Sequence, residues 1–246
     1  MTRDLSHWLR HPDAPTAFCP GCGHGILLGT LLRAIDTLTI AAQDLLFVSG
    51  IGCAGWIPSP HILADTLHAL HGRAIPFATG AKLANPRLTT IVISGDGDLL
   101  SIGAGHLVHA ARRNIDLTVI VANNGIYGMT GGQTAATTPL GVSTATHRAG
   151  NPDAPVDACQ LALAAGARYA ARFPVTDPPR LQAAIARAIA TPGFALVDAL
   201  SPCPTQYGKF QPEDSIAACY RRFEADVQQR SDAATDAAMP FGEFVP

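Results

Sequence analysis

Apolar residues in this 246-residue chain fall into short β-branched runs and longer helical stripes separated by polar turns. The most informative stretch is 91–133, IVISGDGDLLSIGAGHLVHAARRNIDLTVIVANNGIYGMTGGQ. A β-branched run over 88–93 stops at Ser94-Gly95-Asp96-Gly97, apolar residues recur at helical spacing over 99–113, and a second apolar run over 117–122 ends on Asn123-Asn124. Strand, turn, helix and strand of this size make one right-handed crossover between parallel strands. Both polar turns are then expected at the carboxyl edge of the sheet, with Asp96 beside Asn124.

The same alternation continues on either side. Helices are expected over 26–38, 157–165 and 178–191, and strands over 45–49, 167–172 and 194–199. This pattern predicts an α/β fold, an open, mostly parallel sheet with helices on both faces. One domain over 18–208 would follow an arm over 1–17 lying on the surface, and 209–246 would form a C-terminal extension. In that extension 215–230 reads as a helix and the Ala/Asp-rich residues after it as mobile. The segment 134–155 is long and lacks periodicity, which marks it as a functional or interface loop.

Composition narrows the classes. A chain 48% hydrophobic and 15% charged can bury one substantial core. A net charge of −2 with no basic stripe argues against a nucleic-acid partner. The first residues lack the apolar core of a signal peptide, and no apolar run approaches the roughly 20 residues of a membrane span, so the expectation is a cytoplasmic protein with no membrane partner. There the six cysteines are expected to be ligands or thiols, not disulfides.

Two kinds of chemistry suit the sheet edge. A carboxylate, an amide oxygen, a backbone carbonyl and phosphate oxygens supply the octahedron that magnesium prefers. Gly95 and Gly97 allow a sharp turn, and the start of the following helix favours phosphate charge. The second kind involves sulfur. Cys19 and Cys22 form a C-x-x-C at a Gly-rich turn, Cys53 follows the strand 45–49, and Cys203 follows the strand 194–199. Four thiolates could converge there, as a zinc site or an iron–sulfur site; the C-x-x-C alone also fits a redox dithiol. Cys159 and Cys219 lack such positions and read as structural or free.

Gly95-Asp96-Gly97, then residues 98–122, then Asn123-Asn124 resembles the fingerprint of thiamine-diphosphate enzymes. The string IYGMTGGQ with Thr138-Pro139-Leu140-Gly141 resembles one branch, the β subunits of 2-oxoacid:ferredoxin oxidoreductases, closest to the 2-oxoglutarate type. The resemblance implies that Asp96, the Asn124 side chain and the Ile126 carbonyl hold magnesium. It implies that Ile51, Gly52, Cys53, Ala54, Gly97, Asp98, Gly128 and Met129 contact the cofactor, with His71 as the preferred histidine contact and possible catalytic group and His68 as the alternate. The strings CPGCGHG, GIGC and LSPCP match the places where the family binds one 4Fe–4S cluster, through Cys19, Cys22, Cys53 and Cys203. Zinc on the same ligands is the alternative, and the need for one-electron transfer argues against that redox-inert ion.

The implied reaction is oxidative decarboxylation of a 2-oxoacid with coenzyme A to acyl-CoA, carbon dioxide and reduced ferredoxin. The implied partners are an α subunit carrying the pyrimidine-binding domain, in an αβ pair or larger assembly, and ferredoxin. One departure is Trp56, where many members carry Arg or Lys that could grip a carboxylate. A thiamine-dependent decarboxylase or carboligase without a cluster, or a non-catalytic cofactor-binding subunit, remains as the alternative.

Overall fold

The structure is a computed structural model and describes residues 4–212, 215–232 and 241–246. Its strands are β1 (Leu45–Ser49), β2 (Asp65–His68), β3 (Thr89–Gly95), β4 (Leu117–Asn123), β5 (Ile126–Tyr127), β6 (Gln133–Thr134), β7 (Tyr169–Pro174), β8 (Phe194–Leu200) and β9 (Gly242–Phe244). The α-helices are α1 (Gly23–Thr37), α2 (Ala74–Ala84), α3 (Ala104–Arg112), α4 (Ala158–Ala164), α5 (Pro178–Ala190) and α6 (Ile216–Asp232). The main sheet has seven strands in the order β2-β1-β3-β4-β8-β7-β9, and β5 and β6 form a separate hairpin. All pairings in the main sheet are parallel except β7 with β9.

Strand alternation divides the core into two layers. On β3, Ile91 and Ile93 face the layer that holds Leu27, Leu31 and Ile35 of α1 and Leu181 and Ile185 of α5. Val92 faces the other, with Ile75 and Ala78 of α2, Leu107 of α3 and Cys159 of α4. Both faces of the central strands are apolar, as a parallel sheet covered on two sides requires. The order reverses between β1 and β3, whose successors run to opposite sides, and ligands of open α/β sheets bind in the crevice at such a point.

The expected crossover is present, with one change. The helix expected over 99–113 divides into a wide π-helical turn over Gly97–Ile102 and then α3. Gly103 marks the break: a Cβ there would stand 2.4 Å from the Asp98 carbonyl oxygen, so only glycine fits the junction. Two helices start on side-chain caps. Asp157 and Asp177 accept the backbone N–H of Gln160 and Arg180 at the starts of α4 and α5, and Pro178 opens α5.

Of the segment expected to be a surface arm, the described residues from 4 onward are anchored through Trp8 and Leu9. Trp8 is buried in the core and donates its indole N–H to Asp36 at 3.0 Å, and Leu9 bridges to Ile62. The segment 134–155 is braced internally, with the Asn151 amide reaching the carbonyls of Thr138 and Asp153. Helix 215–230 is present as α6, whereas most of the Ala/Asp-rich stretch behind it lies outside the described residues. Strand β2, helix α2 and the antiparallel β9 were not expected from sequence.

Candidate active site

The carboxyl ends of β1, β3 and β4 open on a cavity of about 120 Å³. Asp96, straight after β3, is buried, and its carboxylate accepts the Thr137 hydroxyl and the backbone N–H of Asn124. Asp96 and Asn124 thus stand side by side as expected. Ile126 follows in the same turn and donates its N–H to the Asn124 side-chain oxygen at 3.1 Å. Burial pushes the Asp96 carboxyl up to about 6, with Asp198 adding to the rise, an effect that hydrogen bonds from Thr137, the Asn124 N–H and its own backbone N–H only partly offset. Among the described residues no cationic side chain forms an ion pair with it. A buried carboxylate facing an open cavity with only neutral donors fits a bound cation, and the adjacent amide and carbonyl oxygens suit magnesium.

Asp98, expected to contact the cofactor, lines the same cavity, but its oxygens are turned toward protein. One accepts the N–H of Ile51 at 3.1 Å, the N–H of Gly72 at 2.7 Å and the Nδ1 of His71 at 2.6 Å; the other accepts the Ser94 hydroxyl at 2.9 Å. It therefore fastens the loop after β1 and the loop after β2 to the turn after β3. A Cβ at Gly50 would lie 2.0 Å from this carboxylate, which explains the glycine there. With Nδ1 engaged, His71 sits edge-on to the Tyr127 ring at 6.0 Å, and the Tyr127 hydroxyl donates to the Gly97 carbonyl at 2.9 Å.

Ile51, Gly52, Cys53, Ala54, His71, Gly97, Gly128 and Met129 also line the cavity. His68 does not. It ends edge strand β2, where its Nδ1 pairs with the Ser49 hydroxyl at 2.8 Å and its ring stands 6.5 Å from that of Trp56.

Next to this cavity lies another of about 200 Å³, lined by Cys19, Cys22, Cys53 and Cys203. Asn124, Gly128, Met129 and His24 border both. Gly128 separates them: a Cβ there would stand 3.8 Å from the Cys53 sulfur and 3.9 Å from the Cys203 sulfur. Burial raises the Cys22 thiol to about 12, and Cys203, Cys53 and Cys19 add to the rise. Burial also raises Cys53, again with help from Cys203 and Cys19. All six cysteines are free of disulfides. Among the described residues no three His, Cys, Asp or Glu side chains close on one point as a single ion would require. Four thiols ringing a cavity fit a larger group, and the donor set is the one iron–sulfur clusters take.

Cys159 is buried in α4 and Cys219 in α6, and neither lines the cavity that the four share.

Sequence reasoning missed Thr137 and His24. Thr137 lies in the unpatterned segment, where only the length of the loop hinted at function. His24 is fully buried against Ser201 at 2.9 Å, and burial lowers its ring to about 4, leaving it neutral beside the cysteines.

Residues 50–199, which carry nearly all of the Asp96–Asn124 cavity and the Cys53 side of the other, match the family described as thiamine pyrophosphate enzyme, C-terminal TPP binding domain. The chain is 46% identical to the 2-oxoglutarate synthase subunit KorB of Methanocaldococcus jannaschii, over 85% of this chain and 78% of that one. It is 41% identical to the subunit of the same name from Archaeoglobus fulgidus, over 98% and 87%. It is 47% identical to the 2-oxoacid:ferredoxin oxidoreductase subunit beta of Saccharolobus solfataricus, over 76% and 62%. Among solved structures, the 2-oxoglutarate:ferredoxin oxidoreductase of Magnetococcus marinus, with 2-oxoglutarate, coenzyme A and succinyl-CoA bound, superposes with a TM-score of 0.82 at 32% identity, covering 99% of this chain and 85% of that one. The chain belongs to the thiamine pyrophosphate enzymes and, within them, to the β subunits of the 2-oxoacid:ferredoxin oxidoreductases. No helix among the described residues is long and apolar enough to cross a membrane.

Proposed function

We propose that this chain is the β subunit of an enzyme that oxidatively decarboxylates a 2-oxoacid, 2-oxoglutarate first among them, with coenzyme A, yielding acyl-CoA, carbon dioxide and reduced ferredoxin. The observation that carries this reading is the shared wall at Gly128 between the Asp96–Asn124 cavity and the four-cysteine cavity. Asp96, the Asn124 side-chain oxygen and the Ile126 carbonyl would hold magnesium. Ile51, Gly52, Ala54, Gly97, Gly128 and Met129 would line thiamine diphosphate, and His71, steadied by Asp98, would meet it from the side. Cys19, Cys22, Cys53 and Cys203 would bind one 4Fe–4S cluster. Bound thiamine diphosphate supplies the electron sink that lets carbon dioxide leave, and the cluster supplies one-electron steps.

The chain's own contribution is placement and shielding. Asp96 anchors the diphosphate end, His24 remains uncharged beside the thiols, and the short Gly128 wall keeps the two centres adjacent. A thiamine enzyme also needs a carboxylate beside the aminopyrimidine, and the carboxyl edge of this chain's main sheet is taken up by the clamp and the cysteine cavity beside it. An α subunit would supply that second domain, and ferredoxin would dock transiently. The work is assigned to the cytoplasm, where thiols stay reduced.

The test is anaerobic purification of the chain alone and with its α partner, followed by iron and thiamine analysis and a 2-oxoglutarate-dependent dye-reduction assay. The complex is expected to turn over and the single chain is not. Turnover by the isolated chain, or a complex without iron, would overturn the assignment.

A further inference from the structure

A line of buried polar groups lies behind the clamp. Arg172 on β7 pairs in register with Asp198 on β8, and Asp198 pairs with Val121 on β4, two residues before Asn123. Alternation puts Arg172, Asp198 and Asn123 on one face of the sheet. That face carries Ala170, Leu196 and Val119 and packs against α4. The Arg172 Nε donates to Asp198 at 2.8 Å, and its two terminal nitrogens donate to Asp157, the cap of α4, at 2.9 and 2.8 Å. The other Asp198 oxygen accepts the Asn123 side-chain amide at 3.0 Å. The Asn123 oxygen in turn receives the Gly125 N–H at 3.2 Å.

Asp198 is 1% exposed and Arg172 6%. Burying such charges is costly, and an apolar set of similar volume would hold a sheet face at least as well. Their neighbours on this face are apolar. What the polar line adds is direction: it ends on the turn that carries Asn124 and Ile126.

We propose that Asp198 is a positioning residue for the metal clamp, acting through Asn123 to fix the turn that sets the Asn124 side chain and the Ile126 carbonyl beside Asp96. This rests on the clamp reading above. Arg172 holds Asp198 in one rotamer, and Asp157 holds Arg172 to the start of α4. The order of action runs from the helix cap across two strands to the turn.

The test compares Asp198→Asn, Asn123→Ala and the double variant in the full chain co-purified with its partner subunit. Magnesium-dependent thiamine diphosphate affinity is measured by calorimetry. Hydrogen exchange of the amides at 124–127 is measured without metal or cofactor, and thermal unfolding is recorded alongside. Each single variant is expected to weaken magnesium-dependent binding by about 10- to 100-fold, the range for residues that orient metal ligands. The double is expected to be no weaker than Asn123→Ala, because the two act on one turn. The turn amides should exchange faster in all three while β3 amides keep their protection.

A purely structural role predicts a lower Tm with affinity within about two-fold of wild type. That result, additive losses, or unchanged turn exchange would overturn the proposal while leaving the clamp reading intact. A wild-type protein that binds the cofactor without magnesium would overturn both. Should Asp198→Asn fail to fold, Asn123→Ala, at the half-buried strand end, reads the same link with the ion pair untouched.

Discussion

The two halves of the site are built differently. Around the clamp nearly every polar group is braced by another: Asp96 by Thr137 and Asn124, Asp98 by four donors, Asn123 by Asp198. Asp96, Asp98 and Asn123 stand on strand ends or the turns that follow. The cysteine cavity draws on three separate segments, and its direct internal ties are slight, such as the Cys22 N–H to the Cys19 carbonyl at 3.0 Å and the Gln206 N–H to the Cys203 sulfur at 3.5 Å. The Cys22 and Cys53 thiols are raised by burial and by the neighbouring cysteines. The fold thus prearranges the Asp96 half by side-chain hydrogen bonds, whereas under the proposed function a bound cluster would add to the sulfur half the ties it has few of, as when metal affinity contributes folding free energy.

If the sulfur half depends on its group, losing one ligand should have the largest effect. Cys203→Ser should lose the cluster and its reduced-state resonance signal, while Cys159→Ser and Cys219→Ser should keep full iron. Retained iron in Cys203→Ser would break the contrast. In the braced half, Asp96→Ala should leave the fold intact but weaken magnesium-dependent thiamine diphosphate binding by more than about 100-fold, beyond the usual loss for a supporting residue. Calorimetry showing unchanged affinity would remove Asp96 from the clamp.

Proton linkage sharpens the same contrast. In the metal-free protein Asp96 titrates near about 6 against an ordinary 3.8, so the folded chain holds this proton more tightly than the unfolded chain. Its contribution to stability is greatest below about pH 4 and is lost as the pH rises toward 6, by roughly 3 kcal/mol in all. Urea unfolding across that range, with the non-titrating Asp96→Asn as reference, should show wild type lose stability relative to the variant as the pH rises, and saturating magnesium should cancel the loss. A wild-type curve parallel to that of Asp96→Asn would contradict this.

Much of this architecture was legible because parallel strands buried on both faces read as continuous apolar runs, and their ends carry the polar punctuation Gly-Asp-Gly and Asn-Asn. The four cysteines were legible by position alone. Other features were not. Strand β2 is short and largely exposed at the sheet edge, so no apolar run marks it, and β9 reaches the sheet from across the C-terminal extension. The π-helical turn was hidden because its residues keep helical apolar spacing up to Gly103. Asp98 and Asp198 each sit in motifs or strands that sequence could locate, but apart from Ser94 the hydrogen-bond partners named for them lie 26 to 75 positions away along the chain. Only the folded arrangement brings such partners together.

The smallest expected effect concerns Trp56, on the wall of the cysteine cavity. It lines the cysteine cavity with Asn124, Gly128 and Met129, which also border the clamp, and it is 45% exposed. An indole offers one N–H donor and no charge, so it cannot grip a substrate carboxylate as the Arg or Lys of many family members could. Trp56→Arg should therefore raise kcat/KM for 2-oxoglutarate relative to an apolar 2-oxoacid. Because the position is half open to solvent, the gain should be about two- to five-fold, the scale of an exposed ion pair. Tm should stay within a degree or two, since a half-exposed side chain adds little to the core. The ratio of the two kcat/KM values, measured in the complex, decides the point. A ratio unchanged by the substitution, or a parallel change for both substrates, would place carboxylate recognition on another surface and leave Trp56 as a wall of the cysteine cavity alone.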